Sequence, residues 1–532
     1  MSLTELGTSP GNVESICHSA EYVSDPLIAF QQLCGNSANA MLLESAEIES
    51  KDNLKSLLLV DSALRLECSG QQVCCTALTS NGEHVLELFK LHCPQQIECV
   101  DGLTDGLNTL TLSCTVSDPN ADEDSRLKQA SVFDALRLII ANIKAIRDIP
   151  HAIFLGGAFA YDLLATFEQL PAVENSVNSC PDYVFYLAET LICIDHQTRT
   201  TDVIGSVFSG PKVAENYLRI SQRVEAVRTV LRSLPADIGK FQDPLTETQE
   251  VAVDRDDQQY VKDVESLKEH ILAGDIFQVV PSRTFSLRCP SPIHAYAKLR
   301  QQNPSPYMFY LQDAGFSMFG ASPESALKYS ATSNIVEIYP IAGTRPRGKR
   351  SDGSFDADLD SRIELNLRED TKEKAEHIML VDLARNDVAR VSKPGTRYVK
   401  DLLKVDRYSH VMHLVSRVIG ELRDDLDALH AYQACMNMGT LVGAPKVSAA
   451  TLIREVEQQR RGSYGGAVGY LNGRGDMDSC IVIRSAFVKD GVAHIQAGAG
   501  VVYDSIPQAE ADETRSKAQA VISAIKSSQG AS

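Results

Sequence analysis

The run from Ile481 to Lys526, IVIRSAFVKDGVAHIQAGAGVVYDSIPQAEADETRSKAQAVISAIK, constrains the fold more than any other part of the chain. Ile481 to Val488 alternates as a strand and carries one arginine, Arg484. Lys489-Asp490-Gly491 turns the chain into a second strand, Val492 to Val502, and strands joined by so short a turn pair antiparallel. Gly498, Ala499 and Gly500 interrupt that strand, and glycine inside a strand marks a bulge or a close ligand approach. A helix is expected to open at Ser505, with Pro507 in its first turn and Gln508 at capping-box spacing. Glu510 and Glu513 stand at i, i+3 and share one helix face. The unit reads either as a polar, metal-assisted ligand site or as a hairpin with a solvated helix and a Glu513–Lys517 ion pair.

Upstream, helical patterning alternates with strands. Helices are expected over Pro26–Leu33, Ser131–Ile146, Glu215–Leu234 and Tyr260–Ala273, with Gly274 as a stop. Strands are expected at Ala40–Leu43, from Phe154 into Gly156-Gly157, and over Tyr183–Ile194. Ser80-Asn81-Gly82 reads as a turn. The predicted fold is α+β: large antiparallel sheets with helices packed outside them. Residues 1–20 are expected to be flexible, 21–235 to form an N-terminal portion, 236–256 a polar connection, 257–526 a second portion and 527–532 a tail.

The net charge of −19 disfavours a nucleic-acid binder, since no basic face stands out. Thirteen scattered cysteines, an odd number without a C-x-x-C, form neither a zinc pattern nor a disulfide framework, which fits a reducing compartment. The first residues lack the basic and apolar regions of a signal peptide, and no apolar run approaches membrane-spanning length. A cytoplasmic protein is expected.

A second carboxylate pair matches the first. Asp370 is a candidate N-cap for a helix reaching about Ala389, on which Glu373 and Glu376 stand at i, i+3. Two such helices could hold one Mg²⁺ between them, because magnesium takes one or two carboxylates and completes its octahedron with water and substrate oxygens. The alternative is two charged faces that never meet. Pro340 to Gly348, with Arg345 and Arg347, is either an anion cradle or a solvated basic turn. Met438 to Lys446 lacks Walker spacing and is no P-loop. His413, on a strand Val411–Val418, is open to a structural or a catalytic reading.

Six motifs then occur in order: Gly274-Asp275-Ile276-Phe277-Gln278, Ser322-Pro323-Glu324, Pro340-Ile341-Ala342-Gly343-Thr344, Asp382-Leu383-Ala384-Arg385-Asn386-Asp387, Gly439-Thr440 through Gly443-Ala444-Pro445-Lys446, and Gly498-Ala499-Gly500. This succession resembles the chorismate-utilising enzymes, and within them the large subunits of bacterial anthranilate synthases, over about Glu21 to Ile525.

The resemblance implies their fold, with the N-terminal regulatory portion interleaved into a sandwich of sheets, and conversion of chorismate and ammonia to anthranilate and pyruvate. It implies Mg²⁺ on Glu376 and Glu513, with Glu373 and Glu510 holding its waters. Gly343, Thr344, Tyr464, Arg484, Gly498, Ala499, Gly500 and Lys517 are the implied chorismate contacts, Arg484 suiting the enolpyruvyl carboxylate. His413 and Thr440 are the implied catalytic residues, the histidine titrating near neutrality. Glu44, Ser45, Lys55, Pro306, Tyr307 and Met308 match a tryptophan feedback pocket. None of the cysteines sits in a glycine-rich nucleophile elbow, so ammonia is expected from a separate glutaminase subunit, in a heterotetramer of two large and two small subunits.

Val442 departs from the pattern, which has a serine or threonine there; a hydroxyl near the substrate would be lost. Aminodeoxychorismate synthases carry a lysine nucleophile where this chain has Ala342, and alanine cannot form an adduct. Isochorismate and salicylate synthases, which use water, stand further off. A catalytically dead scaffold of the same fold is disfavoured by Glu376, Glu513, His413 and Arg484.

Overall fold

The computed structural model describes residues 2–35, 37–45, 54–115, 121–239, 250–350, 352–408 and 411–529. Two long strands, Lys55–Ser69 and Tyr183–Asp195, pair along most of their length and carry the architecture. Their register shifts between Leu59 and Leu64, and such irregularities bend a strand. On either side of the bend the pair belongs to a different sheet.

The first sheet runs from Ala40–Glu44 through Tyr307–Gln312, Ser317–Ser322, Ser485–Lys489 and Val492–Gly498 to Ser282–Arg288. The second runs from Phe154–Phe159 through Ala467–Asn472, Met477–Ile481, Ser325–Ser330 and Ile335–Ile338 to Val411–Glu421. These pairings are all antiparallel. Met41, Phe309, Met318 and Phe487 of the first sheet meet Phe154, Val468 and Cys480 of the second in one buried cluster, as stacked sheets require. Helices cover the outer faces: Pro26–Cys34, Val213–Leu231, Pro292–Gln302 and Pro507–Ser528 over the first, and Ser80–His92, Asp134–Asn142 and Ala428–Cys435 over the second. This is the α+β sandwich the sequence led us to expect.

The N-terminal and C-terminal parts share both sheets, through Ala40–Glu44 beside Tyr307–Gln312 and Phe154–Phe159 beside Ala467–Asn472. In the second junction Gly157 faces Gly469. A Cβ at Gly157 would lie 2.1 Å from the Val184 carbonyl oxygen, and one at Gly469 2.1 Å from that of Asp478. Neither residue could carry a side chain without displacing the strand on its outer flank.

Several expectations need correction. Residues expected to be loose form a helix, Leu3–Thr8, capped by Ser2, and a strand, Asn12–Ala20, paired with Thr200–Phe208. Ser80-Asn81-Gly82 does not turn back but opens the helix Ser80–His92, capped by Thr79. Asn81 is buried and bonds both Ser206 O and Phe208 N, and Gly82 lets the Ala63 carbonyl approach. The helix expected over Ser131–Ile146 is the shorter Asp134–Asn142, because Lys144–Ala145 pairs with the first strand. Of the expected connection 236–256, residues 240–249 lie outside the described residues, and Ala252–Val253 pairs with Ser282–Arg288. The last helix runs to Ser528, into the expected tail, of which 530–532 are outside the described residues. All thirteen cysteines are free. No described helix is long and apolar enough to cross a membrane.

Gly157→Ala is expected to destabilise the protein by about 1–3 kcal/mol, the usual penalty of overpacking. A urea melt would show a lowered midpoint; an unchanged midpoint would mean the junction relaxes freely.

Candidate active site

Two helices frame one end of the sandwich. Thr371–Val391 starts at Asp370, whose carboxylate accepts from Lys372 N and Glu373 N at 3.0 and 3.1 Å. Pro507–Ser528 starts without a side-chain cap: Ser505 instead accepts from Val502 N at 3.0 Å, so the expected capping box is not made. The first turns of both helices face a cavity of about 510 Å³ and present Glu373, Glu376, Glu510 and Glu513 to it. The ion pair Lys517–Glu513, at 2.6 Å, forms as well, so the two readings of that helix coexist. Glu373 also accepts from Arg345 at 2.8 Å.

Burial raises the Glu376 carboxyl above the ordinary carboxylate range, and Glu373, Glu510 and Glu513 raise it further against the lowering by Lys372. Burial raises Glu510 too. The described residues hold no ready-made cluster of three or more His, Cys, Asp or Glu side chains at metal-binding spacing. Magnesium does not need one, since one or two carboxylates with water and substrate oxygens suffice. Hard oxygen donors that repel one another across a cavity fit such an ion.

Ile341–Pro346 and Val411–Glu421 form the adjoining wall. Thr344 lies across from His413 in this ladder, after a register shift at Gly343, and its Oγ1 is 2.9 Å from His413 Nδ1. Gly343 sits at φ +76°, where a Cβ would come within 3.0 Å of Glu373 Oε2. His413 is buried, with the Tyr408 ring edge-on to it. Burial, helped by Arg484, pushes its imidazole down to about 4. The histidine is therefore neutral at neutral pH, not poised near 7 as the resemblance implied.

Arg484 corrects a second expectation. The strand expected from Ile481 to Val488 breaks between Met477–Ile481 and Ser485–Lys489, and Arg484 takes φ +50° in the break. Its guanidinium lines the cavity, has no carboxylate at ion-pair distance among the described residues, and makes one long bond, 3.5 Å, to Lys517 O. Burial lowers its pKa. An unpaired buried guanidinium is built for an anion. Lys517 Nζ donates to Gly498 O at 2.9 Å, and the Tyr464 hydroxyl bonds the Gly498 backbone.

Gly498 and Gly500 line the cavity, but Ala499 does not: its N–H donates to Pro281 O at 3.2 Å and its side chain is buried. Arg345 and Arg347 cradle no anion. They pair with Asp370 and Glu373, and with Asp360, respectively. Lys446 is held away from the cavity by Asp387 at 2.6 Å. Val442 is buried in the core and its side chain is not in the cavity wall, so the missing hydroxyl removes no cavity contact.

Two cavity residues had received no role. Glu324 is buried, accepts from Thr440 Oγ1 at 2.9 Å, and burial pushes its carboxyl up to about 8. Gln278 is buried with its Oε1 lacking any hydrogen-bond partner among the described residues. Both lie in motifs quoted above. For Gln278 the signal available in the sequence was an amide between Phe277 and Val279; Glu324, between Pro323 and Ser325 where two strands meet, carried none.

Beneath the cavity Arg461 and Glu457 are both almost fully buried. Arg461 donates to Glu457, to Leu441 O at 2.9 Å and to Val280 O at 2.6 Å, while Glu457 accepts from Ser282 N and Oγ, both at 2.8 Å. The Arg461 guanidinium also lies 5.6 Å from the Tyr464 ring centroid.

A second cavity, about 580 Å³, lies between the sheets and is lined by Glu44, Ser45, Lys55, Pro306, Tyr307 and Met308. Glu44 is not free within it: Tyr296 OH donates at 2.5 Å and Arg300 at 3.0 Å. Pro323 and Ile341 line both cavities.

A sandwich of this topology with these groups at its end defines a class. The chain belongs to the chorismate binding enzyme family, whose model matches residues 105–523. Within that family two similar relatives share one name. It is 58% identical over 506 residues to anthranilate synthase component 1 of Vibrio cholerae, covering 95% of this chain and 94% of the relative. It is 54% identical over 520 residues to anthranilate synthase component 1 of Escherichia coli, covering 98% of each. The crystal structure of anthranilate synthase component I from Streptococcus pneumoniae matches with a TM-score of 0.66 at 26% identity, over 93% of this chain and 97% of that one. The menaquinone-specific isochorismate synthase of Escherichia coli shares the fold, with a TM-score of 0.66 at 15% identity over 98% and 97% of the two chains.

The raised Glu324 carboxyl makes a stability prediction with a definite sign. The folded state keeps this proton up to about 8 whereas an unfolded glutamate releases it near 4.5. Stability is therefore fully present below about 4.5 and declines as pH rises toward 8. Glu324→Gln keeps an oxygen for Thr440 and removes this loss. Its melting temperature should equal that of the wild type near pH 4.5 and exceed it increasingly up to pH 8. Parallel pH profiles would contradict the protonated carboxyl.

Proposed function

We propose that the chain is the chorismate-converting subunit of an anthranilate synthase, producing anthranilate and pyruvate from chorismate and ammonia. The observation that carries this reading is the single cavity in which an unpaired guanidinium, a protonated carboxyl, a neutral imidazole and four facing glutamates converge. Chorismate brings two carboxylates, a departing hydroxyl and a site for a nucleophile, and each finds a counterpart. Arg484 takes the enolpyruvyl carboxylate in a fork of donors, with Lys517 beside it. Glu376 and Glu513 would hold Mg²⁺, with Glu373 and Glu510 accepting from its waters. When bound, that ion grips the ring carboxylate and neutralises the carboxylates around it.

Glu324 donates its proton to the C4 hydroxyl as that group leaves, and Thr440 orients it. Gln278 Oε1 accepts a hydrogen bond from the incoming ammonia and so fixes the lone pair toward ring C2. His413 acts as a neutral imidazole held by Thr344, a hydrogen-bonding or proton-accepting group and not an acid. Ala342 in the cavity wall leaves no amine for a covalent adduct, which favours direct attack by ammonia over the aminodeoxychorismate route.

Ammonia comes from glutamine through a partner subunit; the component 1 name of the relatives implies a second component for those proteins. We assign the second cavity to L-tryptophan as a feedback inhibitor. Pro323 and Ile341, shared by both cavities, provide the contact through which occupancy of one alters the other.

The test is to mix the purified chain with chorismate, ammonium salt and Mg²⁺ and follow anthranilate fluorescence. Anthranilate is expected, lost on chelation and suppressed by L-tryptophan; chorismate consumed without anthranilate would overturn the reading. Activity indifferent to L-tryptophan would remove the assignment of the second cavity alone. At constant free ammonia the rate should fall as pH rises through about 8, where Glu324 loses its proton. Glu324→Gln should lower kcat roughly 10²–10⁴-fold, the range of a lost general acid, and abolish that alkaline limb.

A further inference from the structure

We propose that Ser416 and His377 are positioning residues that carry the effect of a ligand in the second cavity to the glutamates of the first. The proposal rests on the anthranilate synthase reading and on the assignment of the second cavity to L-tryptophan, and it names the route between the two sites.

The strand Val411–Glu421 stands between the cavities and the helix Thr371–Val391. Side chains alternate across a strand, so its odd-numbered residues share one face and its even-numbered residues the other. On the odd face His413 lines the catalytic cavity, and Val415 and Arg417 line the second. The even face lies against the helix. A Cβ at Gly420 would stand 2.7 Å from Val388 Cγ1, and Ser416 Oγ is 2.6 Å from His377 Nε2. His377 is fully buried and its Nδ1 has no hydrogen-bond partner among the described residues, so the bond to Ser416 is what orients its ring. His377 follows Glu376 directly and stands one turn after Glu373, at i, i+4.

Ser416 has a second partner: its Oγ accepts from Leu403 N at 3.0 Å. Leu403 belongs to the strand Tyr398–Arg407, which pairs with Val411–Glu421 on the edge away from Ile341–Pro346. There Asp401 lies opposite Arg417 and Lys404 opposite Val415, so two residues, Leu402 and Leu403, face the single Ser416 in a bulge. Leu403 takes φ +55°, a left-handed backbone that leucine rarely adopts. Such a conformation persists only where its surroundings hold it, and the Ser416 hydroxyl holds this N–H. Asp401 and Lys404, on the two sides of the bulge, both line the second cavity.

One hydroxyl thus joins a strained bulge in the wall of the second cavity to the helix that presents Glu373 and Glu376 to the first. Packed elements shift between discrete arrangements and do not deform continuously. Relaxing Leu403 out of the left-handed region turns its N–H away from Ser416, frees the hydroxyl, and releases the His377 ring with the helical turn that carries Glu376. The two helices then lose the spacing at which their glutamates share one cavity. Ligands in the two cavities oppose each other through this element, and the opposition is reciprocal, each weakening the other by the same factor. The shared walls Pro323 and Ile341 are the other route, and mutation separates the two.

The test is a binding measurement with ammonia withheld, so that chorismate is not turned over. L-Tryptophan is titrated calorimetrically into full-length wild type, His377→Leu, His377→Gln and Ser416→Ala, with and without chorismate plus Mg²⁺. In wild type, chorismate with Mg²⁺ is expected to weaken L-tryptophan binding about ten-fold or more. In His377→Leu and Ser416→Ala that factor should fall to about two-fold or less, while the Kd without chorismate stays within about three-fold of wild type. His377→Gln, whose side-chain amide reaches the position of Nε2, should keep most of the factor; a merely structural histidine would give no such rescue. Variants that keep the full factor would overturn the proposal and leave the route to Pro323 and Ile341. Variants that lose L-tryptophan binding outright would also overturn it, making Ser416 and His377 supports of the second cavity alone. Wild type that forms anthranilate but does not bind L-tryptophan would remove the assignment of the second cavity, and with it this route. Wild type that forms no anthranilate would overturn the reading of function beneath both.

Discussion

The buried pair of Arg461 and Glu457 is the interaction on which the cavity depends. It joins stretches of chain far apart in sequence: Val280 and Ser282, Leu441, and the Ser463–Gly466 turn that carries Tyr464. An ion pair so fully removed from water is stabilising only when its remaining donors and acceptors are satisfied, and here backbone carbonyls and an N–H complete it. Removing one partner of such a pair typically costs about 3–5 kcal/mol because the other charge is stranded. The arrangement fixes the cavity floor rigidly, whereas above it Arg484 has no carboxylate at ion-pair distance among the described residues, and Glu373 and Glu513 lean on Arg345 and Lys517.

That contrast explains the electrostatics. Below the cavity Arg461 and Glu457 match each other and are completed by backbone groups and Ser282. At its surface four carboxylates line one cavity, the Arg484 guanidinium has no carboxylate at ion-pair distance among the described residues, and two titratable groups are neutral in unusual ways, a carboxyl pushed up to about 8 and an imidazole pushed down to about 4. Both neutral groups owe their state to burial first. Environments that drive two groups in opposite directions in this manner separate the proton donor from the acceptor. Under the proposed function, a dianionic substrate bound with a divalent cation would complete the charges of Arg484 and of the four glutamates.

Much of this was legible in the sequence because helix and strand periods place side chains on faces. Glu373 with Glu376, and Glu510 with Glu513, share faces by helical spacing, and the cavity uses those faces. The Gly156-Gly157 interruption marked a true close approach of backbones. The rest depended on partners distant in the chain. Ser80-Asn81-Gly82 looks like a turn until the Ser206 and Phe208 backbone claims Asn81. Arg484 looked like a strand residue, but its left-handed backbone turns the chain out of the sheet. Arg345 and Arg347 have the composition of an anion cradle and are neutralised by aspartates and a glutamate. Glu324 is one glutamate among many, and only the surrounding walls make it an acid near neutrality.

The protonation state of Glu324 is the claim that most directly separates a catalytic cavity from a merely polar one. Infrared difference spectra between wild type and Glu324→Gln, recorded from pH 6 to pH 9, read it without substrate or metal. A protonated-carboxyl stretch present at pH 6 and 7 and disappearing near pH 8 is the predicted result. A carboxylate signature already complete at pH 6 would contradict the account.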